Sequence, residues 1–283
     1  VTVGNVGIGG SNPIRLQSMT TTNTLDTDET ALQSMRIFDE GGELVRITTQ
    51  GRREARNLEN IRAVLNQKGY EGPLVADIHF NPNAAEIAAS LIEKVRINPG
   101  NFVSAAKKFR EQDTSEEAWH DGIVAIKEKL LPFLEICKAN GTAIRIGVNH
   151  GSLSDRILSR FGDTPEGMVE SCMEYLRICN EVGFHQIVLS IKASNTRIMV
   201  HTVRLLVATM SAEGMAYPLH LGVTEAGNGE DGRIKSAVGI GALLADGIGD
   251  TIRVSLTEGP EKEIPVARKL VAHFAQVANH VPV

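Results

Sequence analysis

The sequence predicts a (β/α)8 barrel preceded by a short N-terminal β-hairpin, on three observations. Eight strand-like runs alternate strictly with helix-like runs, which implies parallel strands. The length, 283 residues, suits one such barrel, which typically takes about 250. Five of the runs set a cation beside aliphatic residues: Val45-Arg46-Ile47, Val95-Arg96-Ile97, Ile144-Arg145-Ile146, Ile191-Lys192-Ala193 and Ile252-Arg253-Val254. Strand side chains alternate between faces, so the aliphatic residues take one face and the cation the other. An open doubly wound sheet is the alternative architecture. No G-x-G-x-x-G follows the first strand, which counts against a dinucleotide site.

Residues 1–10 (VTVGNVGIGG) read as the hairpin, placed to plug the bottom of the barrel. The eight strands read as 14–20, 44–49, 74–80, 94–99, 143–149, 186–193, 218–225 and 250–256. A first helix opens near Thr27-Asp28-Glu29, with acids where the helix dipole favours them, and stops at Gly41-Gly42. Asn81-Pro82 is a cap followed by proline at the first helical position. Another helix follows Asp163-Thr164-Pro165 and ends at Gly183; the last begins near Pro260. Residues 101–140 are long for one crossover and read as an elaborated helical layer, interrupted around Gln112-Asp113-Thr114 and Pro132. No linker or low-complexity stretch divides the chain, so residues 1–283 read as one domain.

Composition limits the function. The net charge of -5 gives no general basic field for nucleic acid, so any anion site must be local. No apolar run reaches the length of a membrane span, and no signal peptide opens the chain. Cys137, Cys172 and Cys179 are sparse and contain no C-x-x-C. They point to a reducing compartment and read as small buried hydrophobes rather than metal ligands. A cytoplasmic location is expected, or a plastid stroma in a plastid-bearing source.

Strand parity sorts the remaining polar residues. With the cations inward, Arg46 shares its face with Thr48, Arg96 with Asn98, Arg145 with Asn149, Lys192 with Ser190, and Arg253 with Ser255. Asp77 shares a face with His79, and His220 with Thr224. Outer faces of a barrel pack on helices and must be apolar, whereas inner faces line the core and the mouth. Against the five cations stand two strand-borne acids, Asp77 and Glu225. A surplus of about three positive charges at one mouth focuses potential and recruits an anion. Arginine forks suit phosphate oxygens, and a diphosphate can occupy four or five such groups. Glu225 and Asp77 are the candidate proton-handling carboxylates, and each could instead anchor an arginine. The Gly-rich stretches 222–229 and 239–249 flank the last two strands, where barrels often bind phosphate.

The strings QSMT (17–20), VRIT (45–48), LVADIHF (74–80), RINPGN (96–101), RIGVNHGSL (145–153), SIKAS (190–194), PLHLGVTEAG (218–227) and IGDTIRVSL (248–256) carry a resemblance. They are similar to the barrel domain of 4-hydroxy-3-methylbut-2-enyl diphosphate synthase, in order, from the hairpin to about residue 270. The resemblance implies reductive opening of 2-C-methyl-D-erythritol 2,4-cyclodiphosphate in the non-mevalonate isoprenoid route. A hydroxyl leaves as water, and electrons come from ferredoxin or flavodoxin through a 4Fe–4S cluster. It implies an anion-binding set of Arg46, Arg96, Arg145, Asn149, Lys192, Arg253 and Ser255. Glu225 is then the acid beside the reacting carbon, and Asp77, His79, Asn98 and Thr224 are pocket-lining candidates. The cluster of that family sits in a C-terminal domain with a C-x-x-C that is absent from these 283 residues. This chain is therefore expected to be the substrate-binding part of a longer enzyme, to bind no cluster itself, and to bind substrate without turning it over. The loop Asn228–Arg233 resembles the branch with an extra domain between the barrel and the cluster domain. Two other readings compete: a dihydropteroate-synthase-like transferase, disfavoured by 4% aromatic content, and a non-catalytic polyanion-binding module, disfavoured by the net charge.

Overall fold

The structure, a computed structural model, describes residues 1–78, 81–103 and 115–277. Strands β1 (Thr2–Val3) and β2 (Val6–Gly7) form the expected antiparallel hairpin, with Thr2 opposite Gly7. Eight parallel strands follow: β3 (Arg15–Met19), β4 (Leu44–Thr49), β5 (Leu74–Ile78), β6 (Lys94–Ile97), β7 (Ala143–Asn149), β8 (Ile187–Lys192), β9 (His220–Leu221) and β10 (Thr251–Ile252). Their spatial order is β8-β7-β6-β5-β4-β3-β10-β9. A parallel bridge from Leu189 to Leu219 brings β8 to β9 and closes the ring. The fold is the expected barrel, not an open sheet.

The helices are α1 (Thr27–Asp39), α2 (Arg52–Gln67), α3 (Pro82–Ala89), α4 (Pro99–Phe102), α5 (Glu116–Asn140), α6 (Asp155–Phe161), α7 (Pro165–Glu181), α8 (Thr196–Ala212), α9 (Gly229–Ala245) and α10 (Glu263–Val277). Their starts carry the expected caps. Asp26 accepts from the Glu29 N–H at 3.1 Å, and Thr164 accepts from the Gly167 N–H at 3.1 Å ahead of Pro165. The outward strand residues Val45, Ile47, Ala76, Val95, Ile97, Ile144, Ile146 and Leu189 are fully buried in one apolar layer beneath the helices. Val3 and Ile8 of the hairpin segment are equally buried, against Leu44, Val75, Ala143 and Val188. That second cluster is the floor of the barrel.

Three local features differ from expectation. Pro132 does not interrupt the elaborated crossover: α5 runs through it for 25 residues. A proline ring removes one helical hydrogen bond, but Leu130, Phe133, Leu134 and Cys137 around it are buried in the core and hold the helix together. The break expected near 112–114 lies outside the described residues. The last two strands are two residues each rather than seven or eight. Pro218 has no N–H to donate, and the left-handed backbone at Glu225 ends any extended run on that side. Finally, α6 is an extra helix in the loop after β7, unanticipated by the strict alternation.

Candidate active site

Many of the inward parity positions, though not Thr48, Asn98 or His220, line one cavity of about 200 Å3 at the C-terminal end of the strands. Its cationic lining comes from five different elements: Arg46 from β4, Arg96 from β6, Arg145 from β7, Lys192 from β8 and Arg253 just after β10. Asp77, Asn149, Ser190, Thr224, Glu225 and Ser255 complete the polar wall. Arg46, Arg96, Arg145 and Lys192 are each less than a tenth exposed, and Arg253 is half-buried.

Two inward glycines make room for these long side chains. A Cβ at Gly147 would lie 2.7 Å from Arg96 Nε and 3.1 Å from Ser190 Oγ. A Cβ at Gly222 would lie 3.0 Å from Lys192 Nζ. Side chains at either position would push the cations out of the lining.

Asp77 is the hub. Its carboxylate lies 3.2 Å from Arg46 Nε, 3.0 Å from Arg96 Nη1 and 4.0 Å from Arg145 Nη2. It is 3% exposed, so one buried acid faces three guanidinium groups. Arg96 also donates from Nη2 to the Gly147 carbonyl at 3.0 Å. In the orientation that satisfies both ends of its amide, Asn149 accepts from the same nitrogen at 3.3 Å. Arg46 turns its Nε and Nη2 toward Met19 Sδ, at 3.1 and 2.9 Å. Arg145 keeps Nε and Nη1 buried with no hydrogen-bond partner.

Burial and like charges depress the pKa values of three of the cations. Burial, opposed by Asp77, pulls Arg46 down to about 10. Burial and then the Arg46 and Arg96 charges pull Arg145 well below the usual arginine value. Lys192 is held well below an ordinary lysine by burial and then by Arg46 and Arg145. Guanidinium groups stay protonated at neutral pH, so in this site the pressure persists as mutual repulsion. An entering anion relieves it.

Arg253 is balanced separately. Glu263, at the start of α10 and 1% exposed, accepts from Arg253 Nε and Nη2, both at 2.9 Å. Its carboxylate also accepts from Ser18 Oγ at 2.6 Å and from the Leu256 N–H at 3.2 Å. Strand parity alone does not find Glu263, because it sits on a helix. Met19 and Lys94 were also missed. Met19 follows the inward parity of β3 but carries no charge to mark it. Lys94 has the parity of Arg96 but follows Glu93 rather than an aliphatic residue.

Glu225 is exposed at the mouth and is the one non-glycine among the described residues with left-handed backbone, at φ 51°. That conformation is uncommon for a non-glycine side chain and is often held at functional sites. Its carbonyl accepts from Lys235 Nζ at 3.1 Å. Asn98 is outside the cavity lining: its Oδ1 accepts from the Gly100 N–H at 3.2 Å at the start of α4, and its Nδ2 donates to Ser152 Oγ at 2.9 Å. His79 lies outside the described residues.

A larger cleft of about 790 Å3 opens beside the hairpin, near His185, Tyr217 and Asp250. No arginine or lysine side chain lines it. The cysteines lie on the outer helices α5 and α7, fully buried. Burial pushes Cys137, Cys172 and Cys179 each up to about 12, so they are protonated thiols packed as hydrophobes. No group of three or more His, Cys, Asp or Glu among the described residues is arranged to hold a metal ion. No described helix is long and apolar enough to cross a membrane.

Comparison with known proteins agrees with the geometry. The model of the GcpE TIM-barrel domain matches residues 1–268. A 4-hydroxy-3-methylbut-2-en-1-yl diphosphate synthase (flavodoxin) of Parabacteroides distasonis is 64% identical over 281 residues, covering 99% of this chain and 46% of the relative. Proteins of the same description are 64% identical in Bacteroides thetaiotaomicron and 56% identical in Akkermansia muciniphila. The chain thus spans about half the length of the curated relatives it matches. Among solved structures, dihydropteroate synthase of Yersinia pestis aligns with a TM-score of 0.60 at 11% identity, covering 99% of both chains. At that identity the likeness shows a shared barrel fold alone.

Proposed function

The chain belongs to the GcpE TIM-barrel domain family, and from that premise we propose that it is the substrate-holding barrel of a longer 4-hydroxy-3-methylbut-2-en-1-yl diphosphate synthase. The reading rests chiefly on one observation: five cations from five elements line one cavity, with Asp77 shared among three of them. Such a site is incomplete without an anion. A cyclic diphosphate brings two charges and several acceptor oxygens on a compact ring, which suits converging forks better than a single carboxylate does.

In this reading Arg46, Arg96 and Arg145 grip the phosphates, and Asp77 holds their guanidinium groups in register rather than reacting. Arg253 and Lys192 close the opposite wall, with Asn149, Ser190, Thr224 and Ser255 supplying neutral hydrogen bonds. Glu225, exposed at the mouth, faces the ring carbons and handles the proton that leaves with the hydroxyl as water. The two electrons that open the ring must come from outside these residues. The flavodoxin named for the relatives fits that need, and the cluster that would pass the electrons on belongs to the rest of the longer protein. No step through it is assigned to this chain.

Calorimetric titration of this chain with 2-C-methyl-D-erythritol 2,4-cyclodiphosphate tests the reading. Saturable binding is expected, weakening as salt rises. Absence of binding at millimolar ligand would remove the proposal. Arg145→Ala is expected to raise Kd by about ten- to a hundredfold, since a charge-assisted contact contributes about 1.5–3 kcal/mol. An unchanged Kd would take Arg145 out of the site.

A further inference from the structure

Beneath the anion cavity the barrel interior is polar and under-satisfied. Lys94 is the inward residue two positions before Arg96 on β6, which places it one inward step, about 7 Å along the strand, nearer the floor. It is fully buried, and its Nζ has no hydrogen-bond partner. No carboxylate forms an ion pair with it among the described residues. Both amide atoms of buried Gln17 on β3, Nε and Nη1 of Arg145 on β7, and Nε2 of buried His220 on β9 are also unpartnered. Burial, then the Lys192, Arg145, Arg46 and Lys94 charges, hold His220 well below an ordinary histidine. His220 Nδ1 meets Thr251 Oγ1 at 3.4 Å. Unpartnered buried polar atoms thus come from four strands, β3, β6, β7 and β9, in and beneath the cationic cavity.

We propose that Lys94 is a proton-accepting site coupled to occupancy of the cavity above it, taking a proton from solvent when a dianion binds. The inference rests on the reading of the cavity as a cyclic-diphosphate site and adds a role for a residue outside its lining. Charge balance gives the reason. The charges that act on Lys94 are Arg145 from β7 and Arg46 from β4, and Lys94 in turn acts on His220 from β9. All three are cationic or become so on protonation. With the cavity empty, an ammonium there meets buried positive charge and no anion of its own. Burial and the Arg145 and Arg46 charges accordingly bring Lys94 down to about 7. Two phosphate charges above it reverse that field and favour the ammonium.

The sign follows. Below about pH 7 Lys94 is already protonated, so binding takes up little. Above it the free protein has lost the proton and the complex regains it, so uptake rises and affinity falls as pH increases. Each phosphorus of a cyclic diphosphate carries one strongly acidic oxygen, so the ligand itself does not titrate in this range.

The test is calorimetry of the intact chain with the cyclic diphosphate, in buffers of different ionisation enthalpy, from pH 6 to 9. Uptake is expected to climb from near zero at pH 6 to at least half a proton per ligand at pH 8. Lys94→Met and Lys94→Arg should each bind the ligand with that share of uptake lost: the first has no basic group, and the second never gives up its proton. Circular dichroism identifies any variant that fails to fold, and either variant suffices. Binding without uptake in the native chain, or undiminished uptake in a folded variant, would overturn the role of Lys94 and leave the substrate reading standing. No binding at any pH would overturn both.

Discussion

Asp77→Asn is expected to destabilise the empty protein by about 3–5 kcal/mol, because removing one partner of a buried ionic cluster leaves its charges uncompensated. Three guanidinium groups lean on this carboxylate, the nearest at 3.0 Å. For a chain of this size the loss corresponds to a drop in Tm of about 5–8 °C. The substitution keeps the shape of the side chain, so the effect reports charge. A dianionic ligand should restore part of the loss, since it supplies negative charge to the same three groups. The variant should therefore gain more in Tm from saturating cyclic diphosphate than the native protein does. Thermal unfolding with and without ligand reads both numbers. A Tm within a degree of the native value would show that Asp77 is not the counter-ion of the cluster.

Glu263→Ala is the second large effect. This buried carboxylate accepts two hydrogen bonds from Arg253 and one each from Ser18 and the Leu256 N–H. Its loss also leaves one more uncompensated cation beside the cavity, and about 3–5 kcal/mol of stability should go with it. Much of that penalty comes from the stranded Arg253 charge. The double variant Glu263→Ala with Arg253→Ala is therefore expected to be more stable than Glu263→Ala alone. Chemical denaturation of the four members of the cycle measures the coupling. Additive losses would mean that the two side chains do not act as a pair.

The sheet was legible because strand parity has a period of two and barrel walls have two chemically different faces. That is why Arg46, Arg96, Arg145, Lys192 and Arg253 could be assigned to one cavity from sequence. The same logic places Lys94 inside, yet its neighbour Glu93 hides the aliphatic–cation–aliphatic signature. Glu263 was not legible: its contact with Arg253 depends on how α10 turns back over the strand ends, which no local pattern encodes. Parity also located Asn98 on the inner side without revealing that its amide is committed to the start of α4. The short final strands show the limit from the other side. Alternation survives through 218–225 in sequence, but only His220–Leu221 form the strand between Pro218 and the left-handed Glu225. Pro132 errs in the opposite direction, since tertiary packing holds a helix that local propensity would break.

The central claim is that the cationic cavity, and not the larger cleft beside the hairpin with no arginine or lysine in its lining, receives the diphosphate. A crystal structure of this chain grown with 2-C-methyl-D-erythritol 2,4-cyclodiphosphate tests it most directly. The account predicts phosphate oxygens within about 3 Å of guanidinium nitrogens of Arg46, Arg96 and Arg145, with the ring carbons turned toward Glu225. Ligand bound near His185, Tyr217 and Asp250, with the arginine cavity holding only solvent, would contradict it.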